Sequence, residues 1–138
     1  LNKYAAEILW KYPVHACTDV TGFSFLGHLH EMVDGKLSAV IEQHKVPVIK
    51  EALAYADEFL LTAAAQKNRN HFGEFVRFEN VPFAMEEVLF DPQTSGGLLV
   101  AVAPEYAEEL LAELQVAGLP AQIVGELVEK DEYEIYVR

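Results

Sequence analysis

A chain of 138 residues is long enough to bury a core of its own, because a domain of this size removes roughly 68–70% of its unfolded surface from water without disulfides. Twenty-two acidic side chains against ten basic ones give a formal net charge of −12; that field repels phosphate backbones, no Lys/Arg cluster relieves it, and nucleic acid is excluded as a partner. A lone cysteine excludes an internal disulfide framework and suits a reducing compartment, and no run of ~18 apolar residues offers a membrane span, so a cytoplasmic protein is expected.

The chain opens on Leu1 without an initiator methionine and is helix-like from the start, as expected of a piece of something longer. Ala5, Ile8, Leu9 and Tyr12 form a helical stripe behind a candidate Asn2 cap, ended by Pro13. Val14 to Thr18 reads as a short buried strand running into the Thr-Asp-Val-Thr-Gly turn. Phe25, Leu29, Met32 and Val33 then follow helical spacing until Asp34-Gly35 stops them. Leu37 to Gln43 reads as a second strand, and Ile49, Ala52, Leu53, Ala56 and Leu60 as the next helical face. Thr62 to Asn80 is polar and irregular.

Leu98 to Val102 is an uninterrupted apolar strand, and Pro104 opens a helix on Ala107, Leu110, Leu111 and Leu114 that Gly118 and Pro120 close. Gln122 to Val128 and Glu134 to Val137 supply two final strands. Strands alternating with amphipathic helices predict an α/β or α+β fold, and no linker divides the chain, so one domain is expected over residues 1–138.

Two stretches carry the chemistry. In "HACTDVTGFSFLGHL", Asp19 stands at the end of a strand with Thr18 and Thr21 beside it, Gly22 next, and a helix N-terminus following. Mg2+ keeps several waters and takes one or two carboxylates plus phosphate oxygens, so a single aspartate can form part of its shell. The free N–H groups of the helix and Gly22 could receive an anion. Equally, Asp19 or Thr21 could simply cap the helix.

In "LFDPQTSGGLLV", Asp91-Pro92 makes a turn, and Thr94, Ser95, Gly96 and Gly97 offer hydroxyls and N–H groups with little bulk. Such a loop can cradle phosphate or can be a glycine bulge where another backbone comes close. It is no P-loop, since the lysine of that motif is missing. If strands 14–18 and 98–102 pair antiparallel, the 94–97 loop and Asp19 share one sheet edge; a parallel pairing would separate them.

"TDVTGFSFLGHL" and "FDPQTSGGLLVAV", in that order, together with "IVGELVEK" near the end, resemble the C-terminal domain of the selenophosphate synthetase family. The resemblance runs through the whole chain. The wider group, named for aminoimidazole ribonucleotide synthetase, includes a hydrogenase-maturation protein and thiamin-monophosphate kinase. The resemblance implies an α+β fold in which a mixed, largely antiparallel sheet packs with helices.

It further implies an ATP-dependent phosphotransferase that converts selenide, ATP and water into selenophosphate, AMP and orthophosphate. Asp19 would then join aspartates of an absent N-terminal ATP-binding domain in holding Mg2+ against the ATP phosphates. Thr18, Thr21, Gly22, Asp91, Thr94, Ser95, Gly96 and Gly97 are candidates for the phosphate or substrate loops. No catalytic residue is assigned within this chain, which is expected to be inactive alone and homodimeric as part of the full-length protein. Ser24 departs from the family's Thr-Gly-Phe-Gly, which puts close backbone approach to a ligand there in doubt. Two other readings stay open: a sister ATP enzyme of the group, or a non-catalytic binding module.

Other residues have plainer explanations. Cys17 reads as inert core, because small free cysteines in strands are commonly buried. His28 and His30 are two apart on a helix and point to different faces, while His15, His44 and His71 lack ligand partners at metal spacing. Trp10 lies off the first apolar stripe and is expected to pack on a neighbour. Glu105, Glu108, Glu109 and Glu113 read as a solvated helix face.

Overall fold

Proline cannot donate into a helix ladder, and α1 (Lys3–Leu9) ends before Pro13 in the computed structural model, which describes residues 1–138. Asn2 does not cap that helix through its side chain. Its amide instead donates to the carbonyl of Gly96 at 3.3 Å, tying the chain start to the loop before a later strand.

β1 (Val14–Asp19) and α2 (Ser24–Val33) follow, and Asp34 and Gly35 end α2 in left-handed conformations, φ 49° and 65°. β2 (Leu37–Ile41) is shorter than its sequence suggests, giving way to a 3-10 turn at Gln43–Lys45. α3 (Lys50–Asp57) begins after Ile49 and ends before Leu60, both of which are exposed; Ala56 is its one buried residue.

The polar middle is more ordered than its composition suggests. It folds into α4 (Ala63–Phe72), a 3-10 turn at Gly73–Phe75 and β3 (Val76–Phe78), followed by α5 (Phe83–Phe90). β4 (Leu98–Val102) and α6 (Pro104–Val116) occupy the expected places, β5 (Gly125–Glu129) starts later than expected, and β6 (Ile135–Val137) closes the fold.

The strands form two sheets. β1 and β4 make an antiparallel ribbon, and the other sheet runs β3-β6-β2-β5, with β2 and β5 antiparallel and β6 parallel to both β2 and β3. The architecture is thus the expected mixed α+β, with strand pairings evenly divided between the two directions.

Leu26, Leu29 and Val33 of α2 join Ala39, Ile41, Ile135 and Val137 of the larger sheet and Phe72, Met85, Leu89 and Phe90 of α4 and α5 in the main core. Each of the larger side chains among them contributes about 1.5–3 kcal/mol. A smaller cluster, Ile8, Leu9 and Leu110, clamps α1 and α6 over the apolar side of the β1–β4 ribbon, against Val14, Leu98, Val100 and Val102. Leu99 of β4 reaches the main core instead, so the ribbon bridges both clusters. No helix is long and apolar enough to cross a membrane.

Candidate functional site

Antiparallel pairing sets Asp19 opposite Leu98, Cys17 opposite Val100 and Thr18 opposite Leu99. The end of β1 therefore lies beside the start of β4, and the 94–97 loop meets the Asp19 turn. Backbone bonds continue the ladder past both strands. Val20 N–H donates to Gly97 O at 2.9 Å, Gly96 N–H to Val20 O at 3.0 Å, and Gln93 N–H to Thr21 O at 2.9 Å.

This contact explains one glycine and frees two others. A Cβ on Gly96 would stand 2.2 Å from Val20 O, whereas a Cβ on Gly97 or Gly22 would meet nothing within 4 Å. Gly96 answers the backbone-approach reading; Gly97 and Gly22 remain open to a visitor.

Neither Asp19 nor Thr21 caps α2. The cap position is Phe23, with no side-chain cap bond. Asp19 is exposed, and no side-chain hydrogen bond or ion pair of the chain uses its carboxylate; Thr18 Oγ1 reaches only its backbone oxygen, at 3.3 Å. The capping alternative therefore fails, and a charged group is left facing outward with no structural task. No three His, Cys, Asp or Glu side chains gather to hold a metal anywhere in the chain. A metal at this turn would draw only one carboxylate, that of Asp19, from this chain.

The remaining candidates divide. Thr94 and Ser95 are exposed in the loop. Asp91 is not free: its Oδ1 accepts from Thr62 Oγ1 at 2.8 Å, and that same threonine accepts from Ala65 N–H as the cap of α4. Asp91 thus fixes a helix start. Thr21 Oγ1 lies 3.1 Å from His28 Nε2.

Ser24 is fully buried with φ 70°, in the left-handed region that favours glycine. A family glycine at this place is therefore explained by backbone conformation. Ser24 offsets part of the strain by accepting from Gly27 N–H at 3.4 Å.

Asn68 is a residue that sequence reasoning missed. Buried on α4, it donates to Gly22 O at 3.0 Å and to Phe90 O at 3.1 Å, locking the Asp19 turn to the end of α5. A sign was present, because asparagine is a poor interior helix residue and Asn68 falls on the same stripe as Ala65 and Phe72. Arg69 beside it pairs with Glu86 at 2.6 Å and with buried Glu87 at 2.9 Å.

Cys17 corrects another expectation: it is exposed, although Val100 opposite it packs on the smaller cluster. Partial burial, and then the charge of Asp19, push its thiol pKa up, which disfavours the reactive thiolate. His28 and His30 do diverge, His28 toward Thr21 and Glu31 and His30 toward Glu134. Glu113 is not merely solvated, since it accepts from Lys11 and Tyr12 of the segment after α1. Two open grooves, of about 490 Å3 at Tyr4, Ile8 and Lys11 and about 170 Å3 at Val40, Tyr136 and Arg138, do not involve the Asp19 turn.

Several curated proteins match the chain nearly end to end. A selenide, water dikinase of Agathobacter rectalis is 59% identical over 138 residues, covering 99% of this chain and 40% of the relative. Proteins of the same name are 45% identical in Desulfitobacterium hafniense, over 100% of this chain and 41% of the relative, and 50% identical in Pelobacter propionicus, over 94% and 38%. The chain spans about two fifths of the length of these relatives. The family model described as AIR synthase related protein, C-terminal domain, matches residues 2–138, and the chain belongs to that family.

Proposed function

We propose that residues 1–138 are the C-terminal domain of a cytoplasmic selenide, water dikinase, in which they complete a magnesium-ATP site built mainly by an N-terminal ATP-binding domain. The full-length enzyme, a homodimer in this reading, forms selenophosphate from selenide, ATP and water and releases AMP and orthophosphate. The observation that carries the proposal is the 59% identity, over 99% of the chain, to a protein named for that reaction.

The site's chemistry supports it. Asp19 is exposed and uncommitted, as a ligand awaiting a metal would be, and its lack of neighbouring ligands fits a cluster shared with another domain. Magnesium, when bound, neutralises charge developing on the transferred phosphoryl group. Asp19 contributes one carboxylate to holding it, while the exposed Thr94 and Ser95 and the open backbone at Gly97 offer small donors to phosphate oxygens.

Incubating the full-length protein with selenide, ATP and Mg2+ tests the reading. Phosphorus NMR should find selenophosphate, AMP and orthophosphate in equal amounts; product formation on the substrate of a sister enzyme, and none on selenide, would overturn it. Asp19→Asn should cut turnover by roughly 100-fold or more without moving the thermal midpoint, because the carboxylate makes no contact to lose. An active, equally stable variant would remove Asp19 from the metal. The isolated 138-residue chain should neither hydrolyse ATP nor bind it at micromolar concentration.

A further inference from the structure

His28 is the most enclosed histidine of the chain, 8% exposed, and the metal-holding reading leaves it without a task. Its ring joins two polar groups: Nδ1 lies 2.9 Å from Glu31 Oε2, and Nε2 lies 3.1 Å from Thr21 Oγ1. A carboxylate can only accept, so Nδ1 carries the proton and donates it to Glu31. In the neutral ring Nε2 is then bare and accepts the Thr21 hydroxyl proton. A hydroxyl whose proton is committed inward keeps only lone pairs to offer elsewhere.

Thr21 is also fixed through its backbone. Its carbonyl accepts from Ser24 N–H at 3.0 Å and from Gln93 N–H at 2.9 Å, so it sits at the junction of the Asp19 turn and the 91–97 loop. The Phe23 ring packs beside the imidazole, with the two ring centroids 5.7 Å apart. Hydrated magnesium carries water protons that need acceptors, and outer partners orient a metal's ligands. In that reading Asp19 supplies a carboxylate to the cation, and an oriented hydroxyl two residues on can supply an acceptor to its waters.

Resting on the reading that the Asp19 turn meets magnesium and ATP phosphates, we infer that His28, backed by Glu31, is a positioning residue that holds the Thr21 hydroxyl as an outward acceptor for a hydrated divalent cation. Its action passes through Thr21. Removing either member of the pair should therefore remove one and the same interaction.

The test uses full-length protein, with Mg2+ binding measured by calorimetry in the presence of a non-hydrolysable ATP analogue. Thr21→Val and His28→Leu should each weaken magnesium binding about three- to tenfold, the worth of one hydrogen bond, and the double variant should be no weaker than either. His28→Gln, which keeps an acceptor, should restore most of the loss. Glu31→Ala, at a half-exposed position that cannot unfold the core, should weaken binding in the same direction by a smaller factor.

Nitrogen NMR of labelled histidine, assigned by difference with His28→Gln, should find the proton on Nδ1. A proton on Nε2, multiplicative effects in the double variant, or failure of glutamine to do better than leucine would overturn the inference. Asp19→Asn separates the two ideas. Loss of magnesium binding there with no effect at His28 sinks the inference alone, while retention there with loss in the His28 variants sinks the Asp19 reading and leaves the inference standing. Retention in both sinks both.

Discussion

Gly96 donates its backbone N–H to the carbonyl oxygen of Val20 at 3.0 Å, and a Cβ added to Gly96 would stand 2.2 Å from that same oxygen. The hydrogen bond that joins the two motifs thus depends on the absence of a side chain. Gly96→Ala should force the loop away from β1 and destabilise the protein by about 1–3 kcal/mol, the usual cost of overpacking. Gly97→Ala, in open space, is the control and should lie within about 0.5 kcal/mol of the parent. Denaturant midpoints of the two variants read the difference directly.

Ser24 holds φ 70° while fully buried. Left-handed conformation costs a side-chain-bearing residue about 1–2 kcal/mol, and the 3.4 Å bond from Gly27 N–H is too long to offset all of it. Ser24→Gly should therefore stabilise by up to about 1 kcal/mol, whereas Ser24→Ala, which keeps the strain and loses the acceptor, should destabilise. A denaturant series in which alanine equals or exceeds glycine would contradict this account.

Asn68 donates to two carbonyls that belong to different segments. Asn68→Ala leaves Gly22 O and Phe90 O without those donors and should cost about 1–3 kcal/mol. Asn68→Asp should be no better, since an ionised carboxylate cannot donate and would face two carbonyl oxygens. Hydrogen exchange should localise the loosening to the Thr21–Gly22 turn and the end of α5.

Tyr12 and Lys11 both donate to Glu113 across the smaller cluster. Hydrogen bonding to Glu113, then burial and the nearby charges of Glu113 and Glu109, push the Tyr12 pKa up to about 12; the bonds from Lys11 and Tyr12 hold the Glu113 carboxyl below its usual range. The raised phenol favours the fold below the unfolded tyrosine pKa of about 10, and that contribution is lost as pH climbs toward the folded value. The depressed Glu113 acts oppositely, contributing above its unfolded pKa and losing that contribution as pH falls through the folded one. Ultraviolet titration of phenolate, with Tyr12→Phe as difference, should find the Tyr12 midpoint near 12. Glu113→Gln should return it toward about 10; an unchanged midpoint would show that Glu113 is not the cause.

Hydrophobic spacing reads well where an element buries one face, so β1, α2, β4 and α6 were legible within a residue or two. Turn chemistry did the same for Asp34-Gly35. Spacing failed in the middle for two opposite reasons. α4 buries only Ala65, Asn68 and Phe72, and one of those is polar; α5 is apolar nearly all round, burying even Glu87. α4 has too few apolar side chains to draw a stripe, and on α5 hydropathy does not rise and fall with the helical period.

Which residues bear chemistry was partly local. Asp19, Thr21 and the Thr94–Gly97 loop stand out by composition alone, and the long motifs around them carry the family resemblance. What each residue touches depends on contacts between distant segments. Cys17 is exposed although Val100, its partner across the ribbon, packs under α1 and α6, a fact no strand sequence contains. Asp91 is occupied because Thr62 arrives beside it, and Asp19 is free because the α2 cap falls on Phe23. The antiparallel pairing of β1 with β4 brings the two motifs together, and strand direction is set by the path of the intervening chain and the packing it buries, neither of which a local pattern encodes.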